Sequence, residues 1–290
     1  MQKRTLWTTV GIAAAAVVAA GALAVPLLGG TSPSPAAHPS ASASATAATP
    51  AVPSVSAQAL AALPEAQYSA VVAGLMPFAQ TVTSDTVFHL RADAPLFGSD
   101  RHTPVARFAA TDFLQQPSTV VGLRRQGAWE LVLTPARQQL PSAAGSSGAA
   151  AQTSAWVPVA ALEPAATPTS RVVISTKDQH VSIVSASGAV QQSFSAGVGT
   201  TDTPTPTGVT GYLEQRYVDA SQGTGEHPIQ LTSLHSSVAD EPYGGHDGGL
   251  IGMHWNAATA GAISHGCVRL DADAVAAINA LPLGTLVTVE

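Results

Sequence analysis

Residues 251–270 read IGMHWNAATAGAISHGCVRL, and this stretch holds Cys267, the only cysteine in the 290-residue chain. Leu250 to Trp255 reads as a short strand. A loop of small residues follows, and Ser264-His265-Gly266-Cys267-Val268-Arg269 stands just before the segment Asp271 to Ala280. That segment predicts one short helix, because Asp271 is an N-cap residue type and Val275, Ile278 and Leu281 share a face. Pro282 and Gly284 stop it. The surrounding apolar runs are short and β-like: RVVIST from Arg171, two alternating runs flanking the Ser187-Gly188 turn, Val209 to Val218, Ile229 to His235, and Thr285 to Val289. From Arg171 onwards the expected fold is therefore a mostly β domain with a single short helix.

A lone thiol can be a buried residue, one half of an intermolecular disulfide, or a nucleophile. A thiol with an ordinary pKa of about 8.5 needs a base or a positive field to react as thiolate at neutral pH. His265, two residues away, shares the turn but is poorly placed to reach the sulfur. His254 ends a separate strand and can approach across a sheet. His235 and His246 stand as alternative bases, and His180, His227, His235 and His246 otherwise read as surface or lid histidines. No Cys or acidic pair stands at metal-ligand spacing, so no metal is expected.

The stretch 251–270 resembles the active-site signature of L,D-transpeptidases with a YkuD-type catalytic domain. In that family a strand His is followed by a loop and then Ser-His-Gly-Cys-hydrophobic-Arg. FSAGVGTTDTPTPTGVTGYL (194–213) and DADAVAAINALPLGTLVTV (271–289) are similar to the same family's flanking segments, so the resemblance spans about residues 168–290. It implies that Cys267 is the acyl-accepting nucleophile and His254 the general base, oriented by the carbonyl of Trp255. It further implies that His265 shapes the site, Gly266 permits the turn beside an oxyanion hole, and Ser264 belongs to the motif core. Arg269 would contact a substrate carboxylate or brace the loop. The implied reaction is attack on a peptidoglycan tetrapeptide stem, loss of the terminal D-Ala, and resolution by a neighbouring amine into a 3-3 crosslink, with no cofactor. Water as acceptor would make an L,D-carboxypeptidase, and carbapenem-type β-lactams are the expected inhibitors.

Upstream, Thr86 to Leu90, Val105 to Phe108, Thr119 to Leu123, Trp129 to Leu133 and Ala155 to Val159 are short β runs separated by turns. Residues 85–165 resemble a bacterial SH3-like domain, a small β-barrel, on the strength of ADAPLFGSD, RRQGAWELVLTP and TSAWVPVAAL. Trp129 and Trp156 are expected in its core rather than stacked on a ligand. The stretch 142–153 reads as a low-complexity insert, Leu162 to Ser170 as a linker, and 58–79 as containing a short helix. If the catalytic motif were degenerate, the alternative reading is a non-catalytic wall-binding protein.

The N-terminus carries Lys3 and Arg4 before an uncharged run to Gly30, an export signal over residues 1–28 that either is cleaved after Ala24 or anchors the chain in a membrane. Residues 29–62, rich in Pro, Ser and Ala, cannot bury enough surface to offset chain entropy and are expected as a disordered spacer. The location expected is the bacterial envelope outside the cytoplasm. Charged residues are only 10% of the chain against about 25% in ordinary globular proteins. The net charge of −6 excludes a nucleic-acid binder, which needs a basic face. The module from Arg171 has four basic and eleven acidic residues, the pattern of a solvated surface. The Gly-rich stretch Ser221 to Gly249 has the composition of a lid or a plain loop.

Overall fold

The computed structural model describes residues 50–220, 226–239 and 249–290. The expected export segment, most of the spacer, His246 and much of the stretch 221–249 lie outside the described residues. Among the described residues no helix is long and apolar enough to cross a membrane.

The protein is mainly β, with an antiparallel sheet followed by a curled mixed sheet and few short helices. The helix expected within 58–79 is brief, α1 (Ala57–Ala61), capped by the Ser56 hydroxyl. The first sheet contains β1 (Met76–Pro77), β2 (Thr86–Leu90), β3 (Ala94–Phe97), β4 (Pro104–Phe108), β5 (Val120–Gln126), β6 (Trp129–Thr134), β7 (Thr153–Pro158) and β8 (Leu162–Pro164), with the one-turn α2 (Pro141–Ala144) between β6 and β7. Its order is β4-β3-β7-β6-β5-β2-β8, with β1 on β7. One expectation needs correcting. Leu162 to Pro164 is not linker but an edge strand on β2, where a proline is tolerated because no ladder donor is needed. The low-complexity insert packs against the second sheet. Ala151 joins the core of the second sheet, and the Ala149 N–H donates to the Ser237 carbonyl at 2.9 Å. Small side chains let this backbone approach closely enough to bond.

Trp129 and Trp156 are core residues. They cluster with Phe97, the Trp129 indole N–H donates to the Pro50 carbonyl at 2.7 Å, and the Arg101 guanidinium lies 3.8 Å over the Trp156 ring. Chain upstream of β2 straps onto the same sheet: Ala66 and Val72 N–H donate to the carbonyls of Arg107 and Arg137.

The second sheet contains β9 (Ser170–Ser175), β10 (His180–Ser185), β11 (Val190–Ser195), β12 (Gly197–Gly199), β13 (Val209–Tyr217), β14 (Ile229–His235), β15 (Leu250–Trp255), β16 (Gly261–Ser264), β17 (Val268–Leu270) and β18 (Leu286–Val289). Its order is β11-β10-β9-β18-β13-β14-β15-β17-β12-β16. α3 (Ala272–Asn279) packs against β14 and β15, with Ala274, Val275 and Ile278 buried and the Asp271 carboxylate accepting from the Ala274 N–H at 2.8 Å. Met253, Val268 and Leu270 point into this core from the two strands that carry the cysteine motif. Each such side chain removed from water contributes about 1.5–3 kcal/mol, so the strand pair is pinned from behind.

Candidate active site

β15 and β17 run parallel, with Met253 opposite Val268, His254 opposite Arg269 and Trp255 opposite Leu270. Because side chains alternate along a strand, the burial of Met253, Val268 and Leu270 turns His254 and Arg269 to the other face. Cys267 immediately precedes β17 and shares that face. His254, Ser264, His265, Cys267 and Arg269 line one cavity of about 400 Å³ together with Tyr217, Ile229, Leu231, Leu250 and Gly252. A larger cavity of about 550 Å³ lies beside the 199–208 segment and is lined by Phe78, Ala149, Thr200 and Pro204 among others. It contains no cysteine, histidine or charged side chain, so the reactive groups belong to the smaller one.

The Cys267 sulfur accepts from the Gly252 N–H at 3.5 Å and faces the Leu250 carbonyl at 3.7 Å. Burial pushes its thiol pKa up, opposed by the Gly252 N–H and the Arg269 charge. Burial lowers the pKa of His254, opposed by its bond to the Trp255 carbonyl, while Arg269 lowers it further. The resting pair is a thiol and a neutral imidazole. His254 Nδ1 lies 2.9 Å from the Trp255 carbonyl. A carbonyl only accepts, so Nδ1 carries the proton and Nε2 keeps its lone pair for a proton acceptor role.

The loop before Cys267 is tied from two sides. The Ser264 hydroxyl donates to the Cys267 carbonyl and accepts from the Gly266 N–H at 3.3 Å. Gly266 has φ +112°, which L side chains rarely adopt, and a Cβ there would meet Ile251 at 3.0 Å. Thr205 donates to the Gly266 carbonyl at 2.7 Å and accepts from the Gly199 N–H at 3.0 Å; Thr203 donates to the Ser264 carbonyl at 3.2 Å. These two threonines were not read as site residues, although their alternation in TPTPTG (203–208) marked the segment. His265 is exposed at the cavity edge. The Trp255 ring lies 5.6 Å from that of His227.

His235 is neither a surface nor a lid residue. It is 2% exposed, its Nε2 donates to the Pro135 carbonyl at 2.6 Å, and burial beside Arg137 pushes its pKa down to about 3. It does not line the cavity of Cys267, which removes it as an alternative base. His246 lies outside the described residues. Among the described residues, no three His, Cys, Asp or Glu side chains converge to hold a metal ion.

A half-buried thiol and a neutral histidine on one face of a curled mixed sheet define a domain of the cysteine-histidine type. Its family follows from comparison: residues 169–289 match the L,D-transpeptidase catalytic domain, YkuD, so this part of the chain is a YkuD L,D-transpeptidase domain. No curated protein sequence matches the chain significantly. Solved structures that resemble it include an L,D-transpeptidase from Mycobacterium tuberculosis H37Rv (15% identity, 76% of this chain and 98% of that one, TM-score 0.34). A second is an L,D-transpeptidase in complex with imipenem (17% identity, 56% and 91%, TM-score 0.32). A third is a fused Zn-dependent amidase/peptidase and peptidoglycan-binding protein from Clostridium acetobutylicum (20% identity, 42% and 52%, TM-score 0.29). The chain spans about half the length of that last protein.

Proposed function

We propose that the chain is an extracytoplasmic peptidoglycan L,D-transpeptidase that forms 3-3 crosslinks through an acyl-enzyme on Cys267. The observation that carries this reading is the shared cavity of Cys267 and His254, with the Trp255 carbonyl holding the imidazole in the tautomer a general base needs. His254 Nε2 takes the Cys267 proton as the sulfur attacks the carbonyl at the L-centre of the third stem residue. Backbone N–H groups at or beside Cys267 stabilise the oxyanion. The peptide bond breaks, the imidazolium protonates the departing D-Ala amine, and a thioester remains. A side-chain amine of a neighbouring stem then loses a proton to His254 and attacks the thioester, and the thiol is released with its proton restored. Arg269, opposite His254 in the ladder, supplies the positive field of the site. Ser264, His265 and Gly266 shape the approach to the sulfur.

The first sheet, read as an SH3-like module over 85–165, orients the catalytic domain, and residues 29–62 space it from the export segment at 1–28. Intact-protein mass spectrometry with a disaccharide-tetrapeptide tests the reading. The expected result is an adduct equal to the substrate minus D-Ala, a crosslinked product, a carbapenem adduct, and loss of every adduct in Cys267→Ala. Full turnover in Cys267→Ala would overturn it, and release of tripeptide without crosslinks would make the enzyme a carboxypeptidase.

A further inference from the structure

We propose that Tyr217, Phe113 and Tyr68 form a saccharide-binding row that receives the glycan of the substrate while its stem peptide occupies the Cys267 cavity. This inference rests on the peptidoglycan reading above and names a part of the substrate that the cysteine chemistry does not touch. Tyr217, the last residue of β13, lines the Cys267 cavity. The ring of Phe113 stands 6.5 Å from it at 82°, and that of Tyr68 a further 4.8 Å on at 62°. The row leads from the reactive cavity onto the first sheet's module.

The middle ring is exposed by construction. Phe113 and Leu114 are 36% and 39% exposed, whereas among the described residues most large apolar side chains are interior. Their turn is built to hold them there. One Asp112 carboxylate oxygen accepts from the Leu114 and Gln116 N–H groups at 2.8 and 3.0 Å, and Gln115 sits at φ +61°. The other Asp112 oxygen accepts from the Gln215 amide, two residues before Tyr217 on β13. The turn of one module is thereby registered on the strand that lines the cavity of the other.

The neighbouring polar groups select among ligands. The exposed Gln67 and Thr111 line a small cavity of about 40 Å³ beside Phe113 that reaches inward to the buried Tyr212 and to Glu214, with Glu65 paired with Arg107 at 2.6 Å and Asp112 engaged by Leu114, Gln116 and Gln215. The surroundings are acidic or neutral with no unpaired cation lining that cavity, which disfavours the carboxylates of a stem peptide. An uncharged sugar ring suits the outer surface of the row rather than the cavity, its C–H face on the negative face of an aromatic ring and its hydroxyls toward the exposed Gln67 amide and Thr111 hydroxyl.

Steady-state kinetics with a disaccharide-tetrapeptide and with the same tetrapeptide lacking sugar test this. Wild-type protein should show the lower KM for the sugar-bearing substrate. Phe113→Ala should raise the ratio of the two KM values about threefold to tenfold, from the strength of a single ring contact, and Phe113→Trp should restore it. A wild-type ratio of one, or a Phe113→Ala effect equal on both substrates, would overturn the proposal. If wild-type protein turned over neither substrate, the function reading would fail separately. Ligand-observed NMR with a peptide-free N-acetylhexosamine tetrasaccharide then decides the row, with binding abolished in Phe113→Ala supporting it and no binding to wild-type protein refuting it.

Discussion

The protonation states of His254 and Cys267 set the working range of the proposed chemistry. Burial keeps the imidazole neutral to below its ordinary 6.5 and the thiol protonated to above its ordinary value. The base is therefore already in its accepting form at neutral pH, and it is lost only when acid protonates Nε2. The kcat/KM profile should show an acid limb below pH 6.5 and a level region above it. An acid limb above pH 6.5 would count against His254 as drawn. His254→Gln keeps a side chain of similar reach without a titratable base and should lower acylation by about 10²–10⁴-fold. His235 makes a different prediction. Its folded pKa of about 3 lies below the ordinary 6.5, so between these values the unfolded chain binds a proton that the folded chain does not. Stability is retained above pH 6.5 and falls on acidification, by up to about 1.4 kcal/mol per pH unit. In His235→Gln, which can still donate to Pro135, denaturant midpoints should vary less between pH 6.5 and 4 than in the wild type. An unchanged slope would assign the acid sensitivity to other groups.

At the scale of elements, the cysteine loop is placed by a parallel strand pair and a threonine brace rather than by the helix after it. β14, β15 and α3 were legible from the sequence because each is long enough to show a period or a cap: seven residues in β14, six in β15, and Asp271 ahead of α3. β12, β16 and β17 were not. They have three or four residues, two of them Gly- or Ala-rich, and no period can emerge from so few positions. The cysteine and both histidines near it were legible from spacing, whereas Thr203 and Thr205 act through carbonyls sixty-one residues away. A hydroxyl-to-carbonyl bond across that separation leaves no trace in local pattern. Thr205→Val keeps the shape and removes the donor to the buried Gly266 carbonyl. It should cost about 1–3 kcal/mol of stability and slow carbapenem acylation about tenfold at temperatures where the variant is folded. Acylation at the wild-type rate would show that the turn holds without the brace.

Across the molecule, the two modules are joined by hydrogen bonds from the Arg137 guanidinium to backbone carbonyls, and Arg137 was not singled out in the sequence because nothing local distinguishes it from an exposed arginine. It follows β6, is 6% exposed, and donates to the Ser236 carbonyl at 3.1 Å and the Gly249 carbonyl at 3.2 Å. Ser236 N–H also donates to the Gly249 carbonyl at 3.0 Å. Gly249 leads directly into β15, whose Leu250 carbonyl and Gly252 N–H both meet the Cys267 sulfur. A guanidinium of the first module therefore holds the beginning of the strand against which the nucleophile rests. Its planar fork reaches two carbonyls at once, which a lysine ammonium on a single stem does less well. Arg137→Lys should keep the fold, shown by an unchanged near-ultraviolet spectrum, yet slow Cys267 acylation severalfold. Arg137→Ala leaves buried carbonyls short of a donor and should lose about 2–4 kcal/mol of stability as well. If Arg137→Lys acylated at the wild-type rate, the first module would be serving stability alone, and the start of β15 would be positioned by the second sheet itself.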